Sequence, residues 1–215
     1  MILICGLKMK ITVIPGTRDE SVAIITYIYL QMKPEFEKGN ILISEPFLPD
    51  PNFMRSVILL CEHNDEGSIG FVLNKPTNIS MEELVEEISN YDKPVYAGGP
   101  VEQNTLHYIH RLGDQMEGSI KIEDGLYWGG NFEQLKVLIA NNQVNSKDFR
   151  FFLGYSGWGE GQLFDEFKAH SWIVGSATSS QIFDMDPNEL WKNILRNMGG
   201  KYKAMSNYPI DPRLN

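Results

Sequence analysis

The stretch from Phe149 to Phe164 limits the fold more tightly than any other part of the chain. It reads Phe-Arg-Phe-Phe-Leu-Gly-Tyr-Ser-Gly-Trp-Gly-Glu-Gly-Gln-Leu-Phe. Flat, bulky side chains pack well on a pleated surface, so the aromatic run at its start predicts a buried strand. Gly154, Gly157, Gly159 and Gly161 follow closely, and glycine admits backbone angles that other residues resist. Leu163, Phe164 and Phe167 then recur at helical spacing. The expected order is strand, glycine loop, helix.

A chain of 215 residues fits one domain against a typical ~100–200 residues. Its 19 basic and 28 acidic residues leave a net charge of −9. Such a surface repels phosphate backbones and anionic lipid, which makes nucleic acid an unlikely direct partner and argues against a membrane partner. The apolar patches Met1–Leu7 and Val22–Leu30 are far shorter than the ~18 apolar residues of a membrane span, and no secretory signal pattern precedes them. Two cysteines, Cys5 and Cys61, cannot build a disulfide framework, which points to a reducing, cytoplasmic setting. No C-x-x-C or H-E-x-x-H spacing occurs, so neither a metal nor a cofactor is expected.

Residues 1–31 read as an N-terminal extension, separate from a domain spanning 32–215. Val22–Leu30 is open to three readings: an extra strand, a helix, or sequence upstream of a start at Met32. From Gly39 the pattern becomes regular. Strands are expected at Ile41–Ile43, Val57–His63 and Ser68–Leu73, the last two joined by the turn Asn64-Asp65-Glu66-Gly67. Ser80 and Glu83 form a capping box for a helix with Met81, Leu84, Val85 and Ile88 on one face. Strands follow at Pro94–Ala97, Leu106–His110 and Gly118–Ile122. Asn131, with Gln134 three residues on, caps a helix that turns Phe132, Leu135, Leu138 and Ile139 inward. Ser171–Gly175 is one more strand. Asp186-Pro187 opens the last helix, whose stripe is Leu190, Trp191, Ile194, Leu195 and Met198, and Gly199-Gly200 ends it. The tail from Lys201 is expected to lie extended on the surface. Hairpins mixed with helices imply an α/β fold with a mixed sheet.

Several segments, in this order, carry a resemblance to a known family. They are Gly39–Pro46, Gly67–Pro76, Gly98-Gly99-Pro100-Val101, Gly154–Gly159 with Gly161-Gln162-Leu163, and Ser171-Trp172-Ile173. From Met32 onward the chain resembles the AlgH/YqgE family of bacterial proteins. That resemblance implies a single α/β domain whose mixed sheet curls into a partly closed pseudo-barrel with flanking helices. It also implies a cytosolic protein; some members have been called transcriptional regulators, and no catalytic residues are established for the family. Many members have proline where Glu160 stands here.

Four groups of residues invite a chemical reading. Ser156 sits in Gly-Tyr-Ser-Gly-Trp, which departs from the G-x-S-x-G elbow because the bulk of Trp158 does not fit the fifth position. The glycine segment at a helix start resembles an anion cradle, yet no P-loop lysine follows, and Glu160, Asp165 and Glu166 already place negative charge there. Cys61 and His63 share a strand face by the two-residue period, whereas His107 and His110 fall on opposite faces. Arg196, Lys201, Tyr202 and Lys203 form a basic patch that suits a helix end. Trp158 either plugs into the core or stands as a binding anchor.

Ligand crevices gather where strand ends meet loops. A shared site is therefore expected among Asn74, Lys75, Gly98, Gly99, Ser156, Gly157 and Trp158, with Lys75 as its cation. The reading is a binding or regulatory domain that contacts an unknown protein or small-molecule ligand. The alternative is a hydrolase or nucleotide-binding protein using the Ser156 loop.

Overall fold

The computed structural model describes the strands β1 (Leu3–Ile4) and β2 (Leu7–Lys8) and residues 36–88 and 91–210. Val22–Leu30 and Met32 lie outside the described residues. The chain divides into two compact units, Met1–Glu35 and Phe36–Asn215. In the first, β1 and β2 pair antiparallel.

The second unit is built on a nine-stranded mixed sheet. Its strands are β3 (Ile41–Ser44), β4 (Val57–Asn64), β5 (Gly67–Val72), β6 (Tyr96–Ala97), β7 (Val101–His110), β8 (Ile120–Glu123), β9 (Leu126–Trp128), β10 (Phe149–Gly159) and β11 (Trp172–Gly175). The order is β11-β3-β4-β5-β10-β7-β9-β8, with β6 added to β10 in parallel and every other pair antiparallel. Among the described residues of this unit there are six α-helices: α1 (Met81–Leu84), α2 (Phe132–Ala140), α3 (Gln162–Lys168), α4 (Ser179–Asp184), α5 (Pro187–Met198) and α6 (Gly200–Met205).

Continuous apolar runs in β3 and β4 arise because both faces of the sheet are covered. Ile41, Ile43, Val57 and Leu59 face a core that includes Leu190, Trp191, Ile194 and Leu195 of α5. Leu42, Ile58 and Leu60, one residue out of phase, face Trp158, Leu163 and Trp172. Each such side chain buried contributes ~1.5–3 kcal/mol. Farther along β10, Phe149 and Phe151 pack against Leu135 and Ile139 of α2. Arg150 between them is buried as well; its Nη1 donates to Leu73 O at 2.6 Å, and its guanidinium lies 4.4 Å over the Tyr96 ring.

The ladder has two ends, β11 and β8, so hydrogen bonds do not close it into a barrel. Curvature nevertheless brings β8 back toward the approach to β3. Lys38 Nζ donates to Lys121 O at 2.9 Å, and one core cluster holds Ile41 of β3 together with Ile122 of β8.

β10 runs through the glycine segment, which is therefore strand and not loop. Phe149 to Leu153 pair with β7, Ser156 to Gly159 pair with β5, and a register shift separates the two halves. Gly154 sits at that shift with φ +66°, where a β-carbon would stand 2.6 Å from Val101 O. Close backbone approach demanded the glycine, and the periodicity gave no sign of it. The turn is confined to Glu160-Gly161, after which α3 begins.

Three further elements differ from expectation. The Ser80–Glu83 capping box is present, but α1 stops at Leu84 because Val85 is extended, leaving Leu84 exposed while Ile88 is buried beyond the helix. The tail from Lys201 does not lie extended: Gly199 at φ +71° ends α5 and starts α6. α4 carries a Thr178–Gln181 capping box that reading by apolar period alone passed over.

Candidate functional site

Asn74 clamps the chain at the start of β4, its Oδ1 accepting from Val57 N and its Nδ2 donating to Arg55 O, both at 2.8 Å. Lys75 Nζ donates to Pro51 O at 2.9 Å; burial lowers its pKa, which Asp50 partly offsets. Gly98 ties two strands together, its N donating to Leu153 O at 2.8 Å and its O accepting from Val72 N at 2.9 Å. The same oxygen accepts from Ser156 Oγ at 3.1 Å. Gly99 lies so close to the Tyr155–Ser156 peptide that a β-carbon would meet Tyr155 C at 2.2 Å.

Lys75 O also accepts from Ala97 N at 2.9 Å, so the backbone links the Asn74-Lys75, Gly98-Gly99 and Gly154–Trp158 segments. Their side chains diverge. Those of Asn74 and Lys75 turn to the Pro51–Val57 connection, and Ser156 is fully buried in mid-strand opposite Gly70. Trp158 is buried, donating from Nε1 to Glu166 Oε2 at 2.9 Å, and Trp172 Nε1 donates to the same oxygen at 2.7 Å.

Cys61 and His63 do not form a pair. A register shift at Cys61 breaks the two-residue period: the thiol is buried, and burial pushes its pKa well up, while His63 is exposed and bonds to Ser68 Oγ at 2.7 Å. His107 Nε2 lies 2.9 Å from Thr105 Oγ1. His110 is fully buried; Nδ1 accepts from Leu112 N, which leaves Nε2 to donate to Gly129 O at 2.9 Å.

A cleft of about 390 Å³ opens beside the far end of β10. The β4–β5 hairpin supplies one wall through Glu62, Asn64 and Glu66, and Ile69, Val101 and Tyr155 supply apolar surface. Asn64 builds the turn, its Oδ1 accepting from Glu66 N and Gly67 N and its Nδ2 donating to Glu62 Oε1 at 3.0 Å. Gly67 lets the hairpin touch β10, since a β-carbon there would lie 2.2 Å from Trp158 O. Gly157 is exposed in the cleft, where a β-carbon would stand 3.1 Å from Tyr155 Cε2. Glycine thus leaves the edge of that ring uncovered. Of the expected site residues, Gly157 and Trp158 line this cleft. The sequence reading missed Glu62, Asn64, Glu66, Val101 and Tyr155, each of which adjoins or lies within a stretch it had singled out. Carboxylates, a phenol ring and apolar side chains together line the cleft.

Residues 41–203 match the family described as DUF179, AlgH-like. The chain belongs to the AlgH-like family. A UPF0301 protein of Cytophaga hutchinsonii is 51% identical over 179 residues, covering 83% of this chain and 98% of that one. One from Chlorobium limicola is 42% identical over 187 residues, covering 86% and 100%. Among solved structures, AlgH of Pseudomonas aeruginosa superimposes with a TM-score of 0.66 at 27% identity, over 82% of this chain and 96% of its own. A Corynebacterium diphtheriae protein shares the fold with a TM-score of 0.71 at 20% identity, over 84% and 97%. In this AlgH-like domain three of the segments that carry the resemblance supply the cleft: Gly67–Ile69, Val101 and Tyr155 with Gly157-Trp158. Among the described residues no helix is long and apolar enough to cross a membrane, and no group of three or more His, Cys, Asp or Glu could hold a metal.

Proposed function

We propose that this AlgH-like chain is a cytoplasmic, non-enzymatic binding domain, and that its ligand or partner occupies the cleft between the β4–β5 hairpin and β10. The observation that carries this reading is the convergence of three separate signature segments on one concavity. A pocket with an apolar floor and a few polar groups at its rim is the ordinary form of a small-molecule site. A regulatory role, as the family resemblance suggests, would be exerted through what the cleft holds. Burial of Ser156 and its bond to Gly98 O count against the hydrolase alternative, because a nucleophile needs access and a base.

A thermal-shift screen of nucleotides and metabolites tests the reading on the wild type and on Gly157→Leu. The φ of Gly157 lies outside the left-handed region and the nearest atoms to its would-be β-carbon belong to the Tyr155 and Val101 side chains, the closest at 3.1 Å, so leucine there fills the cleft with a small shift of the Tyr155 ring and no left-handed backbone to strain. A ligand at 100 times its Kd adds about 2.7 kcal/mol to stability. Its stabilisation should vanish in Gly157→Leu. A hit that stabilises both chains equally places the site elsewhere.

A further inference from the structure

Strand register lays out the floor of the cleft beside β10. Glu62 of β4 stands opposite Ile69 of β5, and Ile69 stands opposite Gly157 of β10. Directly opposed residues on antiparallel strands share one face of the sheet. Glu62, Ile69 and Gly157 therefore form one row, with a gap at Gly157 where a side chain is missing. Tyr155, two residues before Gly157, belongs to the same face, as does Val101 opposite it. Asn64 joins them, since its Nδ2 donates to Glu62 Oε1 at 3.0 Å.

Charge in the cleft has one sign. Its lining holds the carboxylates of Glu62 and Glu66 and no lysine, arginine or histidine. His63 falls on the opposite face, bonded to Ser68 Oγ. None of the ion pairs among the described residues involves Glu62 or Glu66. Of their carboxylate oxygens, only Glu62 Oε1 accepts a hydrogen bond among the described residues. A concave surface lined by one sign of charge focuses its field and concentrates ions of the other sign.

The kind of cation follows from the rest of the lining. A hard metal ion takes about six or more oxygen ligands, whereas Ile69 and Val101 offer none, and among the described residues no group of three or more His, Cys, Asp or Glu could hold a metal. Apolar surface beside the carboxylates suits a cation that carries carbon. Two strand spacings, about 10 Å, separate Gly157 from Glu62, a span that a short alkyl chain and the glutamate side chain cover together.

We propose that the cleft binds a small organic cation, an ammonium or guanidinium on a short apolar stem. The stem lies over Ile69 and the gap at Gly157, against the Tyr155 ring and Val101, and the head meets the carboxylates of Glu62 and Glu66. This ligand class rests on the reading of the cleft as the binding site and adds to it the sign of the charge.

Pentylammonium and hexanoate, which put opposite charges on the same five-carbon stem, are the probes. In a two-dimensional NMR titration of the ¹⁵N-labelled full chain, pentylammonium should shift the amides of Gly67, Ile69, Val101, Tyr155 and Gly157, and hexanoate should leave them in place. Joint Glu62→Gln and Glu66→Gln substitution, on an exposed hairpin, keeps at position 62 an oxygen for Asn64 and should leave Tm unchanged. Its affinity for pentylammonium should fall roughly three- to tenfold, the loss of two partly exposed charge contacts. Equal shifts of these amides by both probes, or a doubly substituted chain that binds pentylammonium as the wild type does, would overturn the cationic assignment and leave the cleft as a site. Absence of shifts at about 20 mM pentylammonium, a concentration that detects millimolar binding, would also overturn it. Pentylammonium shifts that lie outside the cleft and persist in Gly157→Leu would sink the assignment and the reading of the cleft together.

Discussion

Replacing Gly98 by alanine isolates the contact on which the centre of the sheet depends. The φ of Gly98 lies outside the left-handed region, so alanine brings no dihedral strain and its whole effect is steric. The added carbon would stand 2.2 Å from Gly154 O, 3.0 Å from Phe152 Cβ and 3.1 Å from Phe71 Cδ1. A comfortable carbon–oxygen contact is about 3.3–3.6 Å, so β10 or the Gly98 backbone would have to retreat by roughly 1 Å. Neither has room: β10 is paired with β5, β6 and β7, and Gly98 bonds to both Val72 and Leu153. Overpacking of this kind costs about 1–3 kcal/mol, and the backbone partner places this case at the upper end. At ~2–4 °C per kcal/mol for a chain of this size, Tm should fall by about 6–12 °C. Gly159→Ala is the control, because only Gln162 Oε1, at 4.0 Å, lies near its would-be β-carbon. Calorimetry or urea titration on both variants decides the matter. Gly98→Ala and Gly159→Ala melting within about 1 °C of each other would refute the claim that these glycines answer to backbone approach.

Two other expectations can be checked on the same equipment. Burial holds the imidazoles of His107 and His110 below their ordinary pKa of 6.5, so the unfolded chain takes up protons that the fold resists. That contribution is fully present above about pH 6.5, the unfolded value, and is lost as pH falls from there through the lowered folded pKa values; Tm should decline from pH 7.5 to 5.5, less steeply in His107→Gln, and a flat wild-type profile would contradict it. Because Phe36–Asn215 is a compact unit by itself, a chain beginning at Met32 should melt cooperatively within about 2 °C of full length, a change below ~1 kcal/mol; insolubility or a much lower Tm would make residues 1–31 part of the fold.

What the sequence made legible followed from period and capping. The α5 stripe, the Asn131 cap and the Ser80–Glu83 box all appear in the structure because each depends on residues within a few positions of one another. The glycine segment was misread because its cause is non-local: Gly154 answers to Val101, Gly99 to Tyr155, and Gly67 to Trp158. The same limit hid most of the cleft. Glu62 and Glu66 look like ordinary solvated turn residues, and only the pairing of β5 with β10 brings their hairpin against Gly157. Conversely, Asn74 and Lys75 read as free polar groups, whereas the fold spends them on neighbouring backbone.

Amide mapping with the strongest hit of the ligand screen shows whether binding takes place in the cleft between the hairpin and β10. Titrated into the uniformly ¹⁵N-labelled full chain, that ligand should move the amides of Gly67, Ser68, Ile69, Val101, Tyr155 and Gly157 at one common Kd, and leave those of α5 and α6 in place. Shifts concentrated on α5 and α6, or in the Pro51–Val57 connection that holds Asn74 and Lys75, would contradict the account.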